Sequence, residues 1–294
     1  KGKISLDDPL SKFFAMSDSR FGAIRISHLL AHSSGLPAWR GFGAELLAGY
    51  GMEKAGSEEI RREFVERIFR EKFVYGTGGK SDYSDLGFIL LGGIIEKIGG
   101  DYLHALFEKY VSSPLGLRDS FFTRSNQKPD DATLERIAPT EFCPVRKRLV
   151  HGEVHDDNAF ALGGAAGHAG LFSTSRDVAT WANELLGAYL GKEPIFSHLK
   201  DIVRLFWSKK YSPAGSTWNL GFDSRSAYGS SSGKFFFPSS VGHLGFTGCS
   251  VWIDPEVELV VALLTNRVHP ARENELIKKF RPEFHDAVFE AMFR

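Results

Sequence analysis

The chain has 294 residues, 36 of them basic and 36 acidic, so its formal net charge is zero. That balance argues against a nucleic-acid grip, which shows a basic excess, and against attachment to anionic membranes by charge. With 43% hydrophobic and 24% charged residues, a chain of this length buries roughly 75% of its unfolded surface and needs no disulfide or metal to hold a core.

Residues 5–20 read as a loop, and the stretch from Ile24 to Ala31 as an amphipathic helix stopped by Ser33-Ser34-Gly35-Leu36-Pro37. Residues 57–72 predict a helix capped by Ser57, with Ile60, Phe64 and Ile68 on one face. A turn-rich segment follows from Tyr75 to Lys80, then a helix over 84–99 that is apolar nearly all round and so central. Its run from Leu86 to Ile95 is the longest apolar stretch, well short of the ~20 residues of a membrane helix. A further helix spans 101–112 and stops near Pro114. Residues 123–158 form a long polar connection, the kind that often carries function. A Gly/Ala loop at 163–170 leads to helices over 177–190 and 194–207. The pattern then changes to strands at 217–223, 242–253 and 257–265, with a turn at Asp254-Pro255-Glu256, and a last helix that starts at Arg281-Pro282 and aligns Phe284, Val288 and Met292. Helices first and antiparallel strands later imply an α+β fold. Cys143 and Cys249 form no zinc motif and read as free thiols. The opening residues do not have the pattern of a signal peptide, and the compartment stays open.

Four segments carry candidate chemistry. Tyr83-Ser84-Asp85 stands where a loop enters the buried helix. The helix dipole would favour a phenolate there and suit Tyr83 as a general base; a plain cap with Tyr83 as a hydrophobic staple explains the same residues. Gly242-His243-Leu244-Gly245-Phe246-Thr247-Gly248 opens a strand. Its glycines would admit a ligand to the backbone, whose N–H groups could form half of an oxyanion hole, or they ease a bulge. His151, His155 and Asp157 resemble a metal cluster, but Gly152 disfavours the helix that His-x-x-x-His requires, and a polar loop is the better reading. His168 reads as a packed loop histidine. Ser-x-x-Lys, the pattern of serine acyl-enzymes, occurs at Ser125, Ser197 and Ser231. None of the three opens a buried helix, and all read as chance matches.

Several segments together resemble a known family, the serine β-lactamases of class C with their penicillin-binding-protein and esterase relatives. ISHLLAHSSGLPAW (26–39), YSDLGFILLGGIIEKIGG (83–100), PLGLRDSFF (114–122) and the segment 242–270 match its motifs in order, and residues 151–182 are similar to the penicillin-binding protein 4B-like branch. The resemblance implies a single β-lactamase-like domain over 1–294, with a mainly helical region at 20–210 and sheet strands plus a C-terminal helix at 211–294. It implies a serine hydrolase acting through an acyl-enzyme on a small ester, amide or β-lactam, without a cofactor or metal. Tyr83 would exchange a proton with the nucleophile and leaving group, His243, Leu244 and Gly245 would line the pocket, and the Phe246 N–H would be an oxyanion donor.

Three departures qualify that reading. Asp85 stands where many members have Asn. His243 and Leu244 replace Lys and Thr, which lowers the fixed positive charge and favours neutral esters or amides over penicillins. The family's Ser-x-x-Lys helix lies upstream of the part that matches residues 2–14, so the nucleophile and the first strands of the sheet are expected outside this chain, which alone would be inactive and would have that missing segment as a partner. Two rival readings are a non-catalytic ligand-binding module and, further off, a metal hydrolase built on His151, His155 and Asp157. His155, Asp157 and His168 fall in matching segments, with no role assigned.

Overall fold

The computed structural model describes residues 2–294; Lys1, the first residue of the N-terminal stretch, lies outside them. The first half is helical. α1 (Ile26–Leu30), α2 (Phe42–Tyr50), α3 (Glu58–Ile68) and α4 (Asp85–Gly99) share one core with Leu10, Phe21, Phe160 and their neighbours. α3 follows its pattern: the Ser57 side chain accepts from the Ile60 N–H, and Ile60, Phe64 and Ile68 are fully buried. α4 is capped by Ser84, ends on Gly100 in the left-handed conformation and buries Leu86, Leu90 and Ile94. No helix among the described residues is long and apolar enough to cross a membrane.

The helix expected to stop at Pro114 instead continues in pieces to Leu115, through a π-helical turn at Glu108–Ser112, and ends at left-handed Gly116. Pro114 sits in the first turn of the last piece, where its missing N–H costs nothing. The long connection contains a short helix, Asp131–Glu135, and a small ladder pairing Phe142–Cys143 with Arg148–Leu149. α5 (Asp157–Ala161), α6 (Ser175–Leu190) and α7 (Lys200–Phe206) follow.

The main sheet is antiparallel with strands in sequence order: β1 (Asp223–Ser224), β2 (Val241–Leu244), β3 (Ser250–Asp254) and β4 (Leu259–Leu263). Alternation sends side chains to opposite faces. Val241, Ile253 and Val260 pack with α6 and α7, while Trp252, Leu259 and Val261 pack with α8 (Ile277–Phe293). Helices thus cover both faces, and together with the helical half they make an α+β fold.

The expected strand at 217–223 is reduced to β1 and a bridge between Trp218 and Asp223. The expected strand at 242–253 is broken by a turn at 245–249. β4 alternates between buried and half-buried residues because only one of its faces is deeply covered. α8 starts four residues before Arg281, with Pro282 inside it, and its buried stripe is Ile277, Arg281, His285 and Phe289 rather than one that includes exposed Met292. Cys143 and Cys249 are both free.

Candidate active site

The chain leaves α1 through His32, whose φ of +51° is left-handed. This places the His32 ring, almost wholly buried, in the seam between the helical half and the sheet. It stacks on Phe88 and lies 4.6 Å from the Tyr83 ring and 4.4 Å from that of Trp218, centroid to centroid. Trp218 in turn lies 5.5 Å from His243 on β2, and the Tyr83 and His243 rings are 6.3 Å apart. Tyr83 from the entrance of α4 and His243 from the sheet therefore meet across one aromatic cluster.

The proton states in this cluster follow from its hydrogen bonds. His32 Nδ1 accepts from the Ser84 N–H at 3.0 Å, so Nε2 carries the proton, and it is buried without a partner. Burial, with His243 nearby, pushes His32 down to about 3. His243 Nδ1 lies 2.8 Å from the Leu244 carbonyl, which can only accept, so Nε2 is left with its lone pair. Burial holds His243 below the ordinary histidine range, and the ring is neutral at pH 7.

Tyr83 differs from the phenolate expected of a helix N-terminus. It is 38% exposed, but desolvation of its hydroxyl, then the charge of Asp85 and a hydrogen bond to that carboxylate, push the phenol above its ordinary range, with Asp156 adding to the effect. Desolvation first, and the two carboxylates after it, outweigh the dipole of α4, so Tyr83 is a protonated donor. Asp85 is itself raised by burial, against the pull of His168 and of the Tyr83 hydroxyl.

On the sheet side, the glycines at 242–248 serve the protein itself. A Cβ on Gly242 would meet the Trp252 ring at 2.5 Å, and Gly248 has φ +109° within the turn. The turn is closed by Gly245 N–H to the Cys249 carbonyl, and it is clamped from α8. Buried Arg281 donates to the carbonyls of Gly245, Gly248 and Cys249 at 2.9–3.1 Å. Arg267 Nε donates to the Phe246 carbonyl at 2.7 Å and its guanidinium covers the Phe246 ring. Among the described residues nothing accepts the Phe246 N–H. The Phe246 ring, 58% exposed, stacks on His155. Leu244 ends β2 beside His243, and Gly245 opens the turn that follows.

The loop residues His151, His155, Asp157 and His168 fall in different places. His155 bonds Glu141 at 2.8 Å, and Glu141 also pairs with Arg272, whose hydrogen bonds hold its carboxyl below the ordinary range. Asp157 pairs with buried Arg146 at 3.1 Å and serves the packing of its own loop. His151 contacts the carbonyls of Leu134 and Ile137. Among the described residues no three metal-ligating side chains converge, so His151, His155 and Asp157 do not form the cluster their spacing suggested. His168 is buried and pairs with Asp156 at 3.0 Å. Ser125 donates to the Phe160 carbonyl, Ser197 opens a single 3-10 turn and Ser231 lies in the loop before β2. The serines beside Tyr83 are occupied as well: Ser81 donates to the Ala31 carbonyl and Ser84 to that of Pro37.

His32, Trp218 and Arg281 are the site residues that the sequence did not single out. His32 stood inside a matched motif, HLLAHSSGLP, which was its one signal. Trp218 lay in a segment that reads as a plain strand, and Arg281 looked like the start of a helix rather than its inner face.

A model of the Beta-lactamase family matches residues 1–283. The chain is 31% identical over 295 residues to a protein of Escherichia coli (strain K12) named "Putative D-alanyl-D-alanine carboxypeptidase", covering 92% of this chain and 64% of that protein. It is 34% identical over 264 residues to the N-acetylmuramyl-L-alanine amidase of Bacillus subtilis (strain 168), covering 84% and 56%. It thus spans less than two thirds of the length of these curated relatives. Among solved structures, the penicillin binding protein from Bacillus halodurans superposes with a TM-score of 0.66 at 19% identity, covering 99% of this chain and 79% of that one. The octameric penicillin-binding protein homologue from Pyrococcus abyssi does so with 0.65 at 23% identity, covering 99% and 61%. At those identities the likeness is one of fold.

Proposed function

This chain belongs to the beta-lactamase family, and from that premise we propose that it supplies the proton-transfer and oxyanion side of a serine hydrolase. The family's hydrolases include relatives named as a carboxypeptidase and an amidase. The finer reading is an acyl-enzyme on a small ester, amide or β-lactam, and the two relatives' names favour the amide. The observation that carries it is the meeting of Tyr83 and His243 beside an unengaged Phe246 N–H.

In this mechanism a serine attacks the carbonyl carbon, and the Phe246 N–H donates to the oxygen as negative charge develops on it. Tyr83, protonated, hands its proton to the leaving nitrogen or oxygen. The proton that the serine hydroxyl loses on attack passes to the lone pair of His243 Nε2 and from there, or directly, to the Tyr83 oxygen. Arg281 and Arg267 hold the 245–249 turn so that the N–H does not move during the reaction. His243, neutral, adds no fixed charge for a substrate carboxylate.

The nucleophile we assign to the intact protein outside these residues: Ser81 and Ser84 beside Tyr83 donate to carbonyls, and of the three Ser-x-x-Lys serines Ser125 does so too, Ser197 opens a 3-10 turn and Ser231 lies in a loop, so that none opens a buried helix. The outer edge of β4 is unpaired among the described residues, and the same outside segment is the partner we propose for it.

The test is steady-state hydrolysis of a D-alanyl-D-alanine peptide, a p-nitrophenyl ester and a chromogenic cephalosporin by the intact protein. Tyr83→Phe should lower kcat on the accepted substrate by about 10²–10⁴-fold with little change in KM. Full activity in Tyr83→Phe, or binding of all three classes without turnover, would overturn the reading, the latter in favour of a ligand-binding module.

A further inference from the structure

One carboxylate ties the long connection to the loop that follows β4. Glu141 stands just before the Phe142–Cys143 strand, and its side chain is 6% exposed. His155 Nε2 donates to its Oε1 at 2.8 Å. Arg272 Nε reaches both of its oxygens at 2.9 Å, and Arg272 Nη2 adds a further bond. Two more hydrogen bonds run beside it: Asn266 Nδ2 donates to the Pro139 carbonyl, and His269 Nδ1 to that of Thr140. The two partners of Glu141 are held in turn. Buried Arg146 donates to the His155 carbonyl at 2.5 Å, and Arg267 to the Arg272 carbonyl at 2.7 Å.

Both groups that Glu141 grips lie against the same ring. His155 stacks on Phe246 with centroids 5.7 Å apart and planes at 17°, and the Arg272 guanidinium lies 5.8 Å from that centroid. Arg267 takes the Phe246 carbonyl and also covers the ring. The ring itself is mostly exposed, so burial alone fixes it weakly. Its direction is set by three planar groups, and two of them take their place from Glu141. The paired geometry of guanidinium and carboxylate makes that placement directional.

We propose that Glu141 is a positioning residue: by gripping His155 and Arg272 at once it fixes the Phe246 ring, and with it the N–H offered to the oxyanion. Arg281 holds the Gly245 carbonyl on one side of that N–H, and the Glu141 grip holds the side chain on the other. The oxyanion residue of the sheet is thereby set from the long connection, 105 positions before it in the chain. A buried ion pair contributes little net stability beside an apolar replacement of the same shape; what this one supplies is position. The inference rests on the Phe246 N–H being an oxyanion donor.

The test compares Glu141→Gln with wild type in the intact protein, alone and in a Phe246→Leu background. On the substrate that wild type accepts, Glu141→Gln should lower kcat by about 10–10²-fold with KM within about twofold. It should have no further effect once Phe246→Leu has removed the ring. An unchanged kcat in a folded Glu141→Gln, or the same loss in both backgrounds, would overturn the proposal. Amide relaxation of Phe246 needs no turnover: its order parameter should fall from about 0.85 to below about 0.6 in Glu141→Gln. A value that stays at the wild-type level would overturn the proposal equally. A protein that turns over nothing while Phe246 loosens in this way would count against the oxyanion reading and support the grip. If Glu141→Gln does not fold, Arg272→Gln breaks the same grip from a half-exposed side chain and decides on the same readouts.

Discussion

Tyr83 shows how far a single residue can be read from its neighbours in sequence. Its place at a helix N-terminus was legible, whereas Asp85 two positions on read as a cap or as a replacement for Asn and not as the partner of the Tyr83 hydroxyl. Its protonation was not, because that depends on burial and on Asp156, which is 73 positions away. His32 makes the same point in reverse: nothing local announces a ring wedged among Phe88, Tyr83 and Trp218. The burial of His32 has a consequence for stability. The folded ring is pushed from 6.5 to about 3, so between those values the unfolded chain binds a proton that the folded one refuses. Stability is present above pH 6.5 and falls as the pH drops toward 3. Urea midpoints of wild type should decline over that window by an amount worth a few kcal/mol, and His32→Gln should decline less steeply. His285, pushed down to about 4 by burial, remains in the variant and leaves part of the slope.

Among the elements, those whose pattern repeats were legible and those shaped by distant contacts were not. α3 and α4 follow their caps and apolar spacing because both the cap and the buried stripe lie within the helix. The segment before β1 reads as a strand by its residue types, yet Trp218 gives its ring to the His32, Tyr83 and His243 cluster and the backbone forms only a bridge. α8 was read as starting at Pro282, where prolines favour first turns, but burial of Ile277 and Arg281 extends it backwards. That extension is what brings Arg281 to the turn at 245–249. Arg281→Met would leave three carbonyls without their donor and should lower unfolding stability by about 3 kcal/mol, read from urea denaturation. Arg281→Lys should recover only part of it, since an ammonium cannot span three acceptors with the guanidinium's geometry. An unmoved midpoint in Arg281→Met would contradict the clamp.

At the scale of the molecule, the ordered matches along the sequence anticipated the family, and the α+β arrangement follows the same order. The meeting of the two halves was expected from that resemblance alone; composition and periodicity say nothing of it. The same fold is shared with structures at 19% and 23% identity, so the arrangement of helices around the sheet survives most changes of side chain. The central claim is that Tyr83, His243 and the Phe246 N–H serve a serine outside these residues. Intact-mass labelling with a fluorophosphonate and a fluorescent penicillin tests it most directly. The account predicts no adduct on this chain, a single adduct per intact protein on a serine outside residues 1–294, and slower labelling in Tyr83→Phe. An adduct on this chain alone, mapped to Ser125, Ser197, Ser231 or any other of its serines, would contradict it.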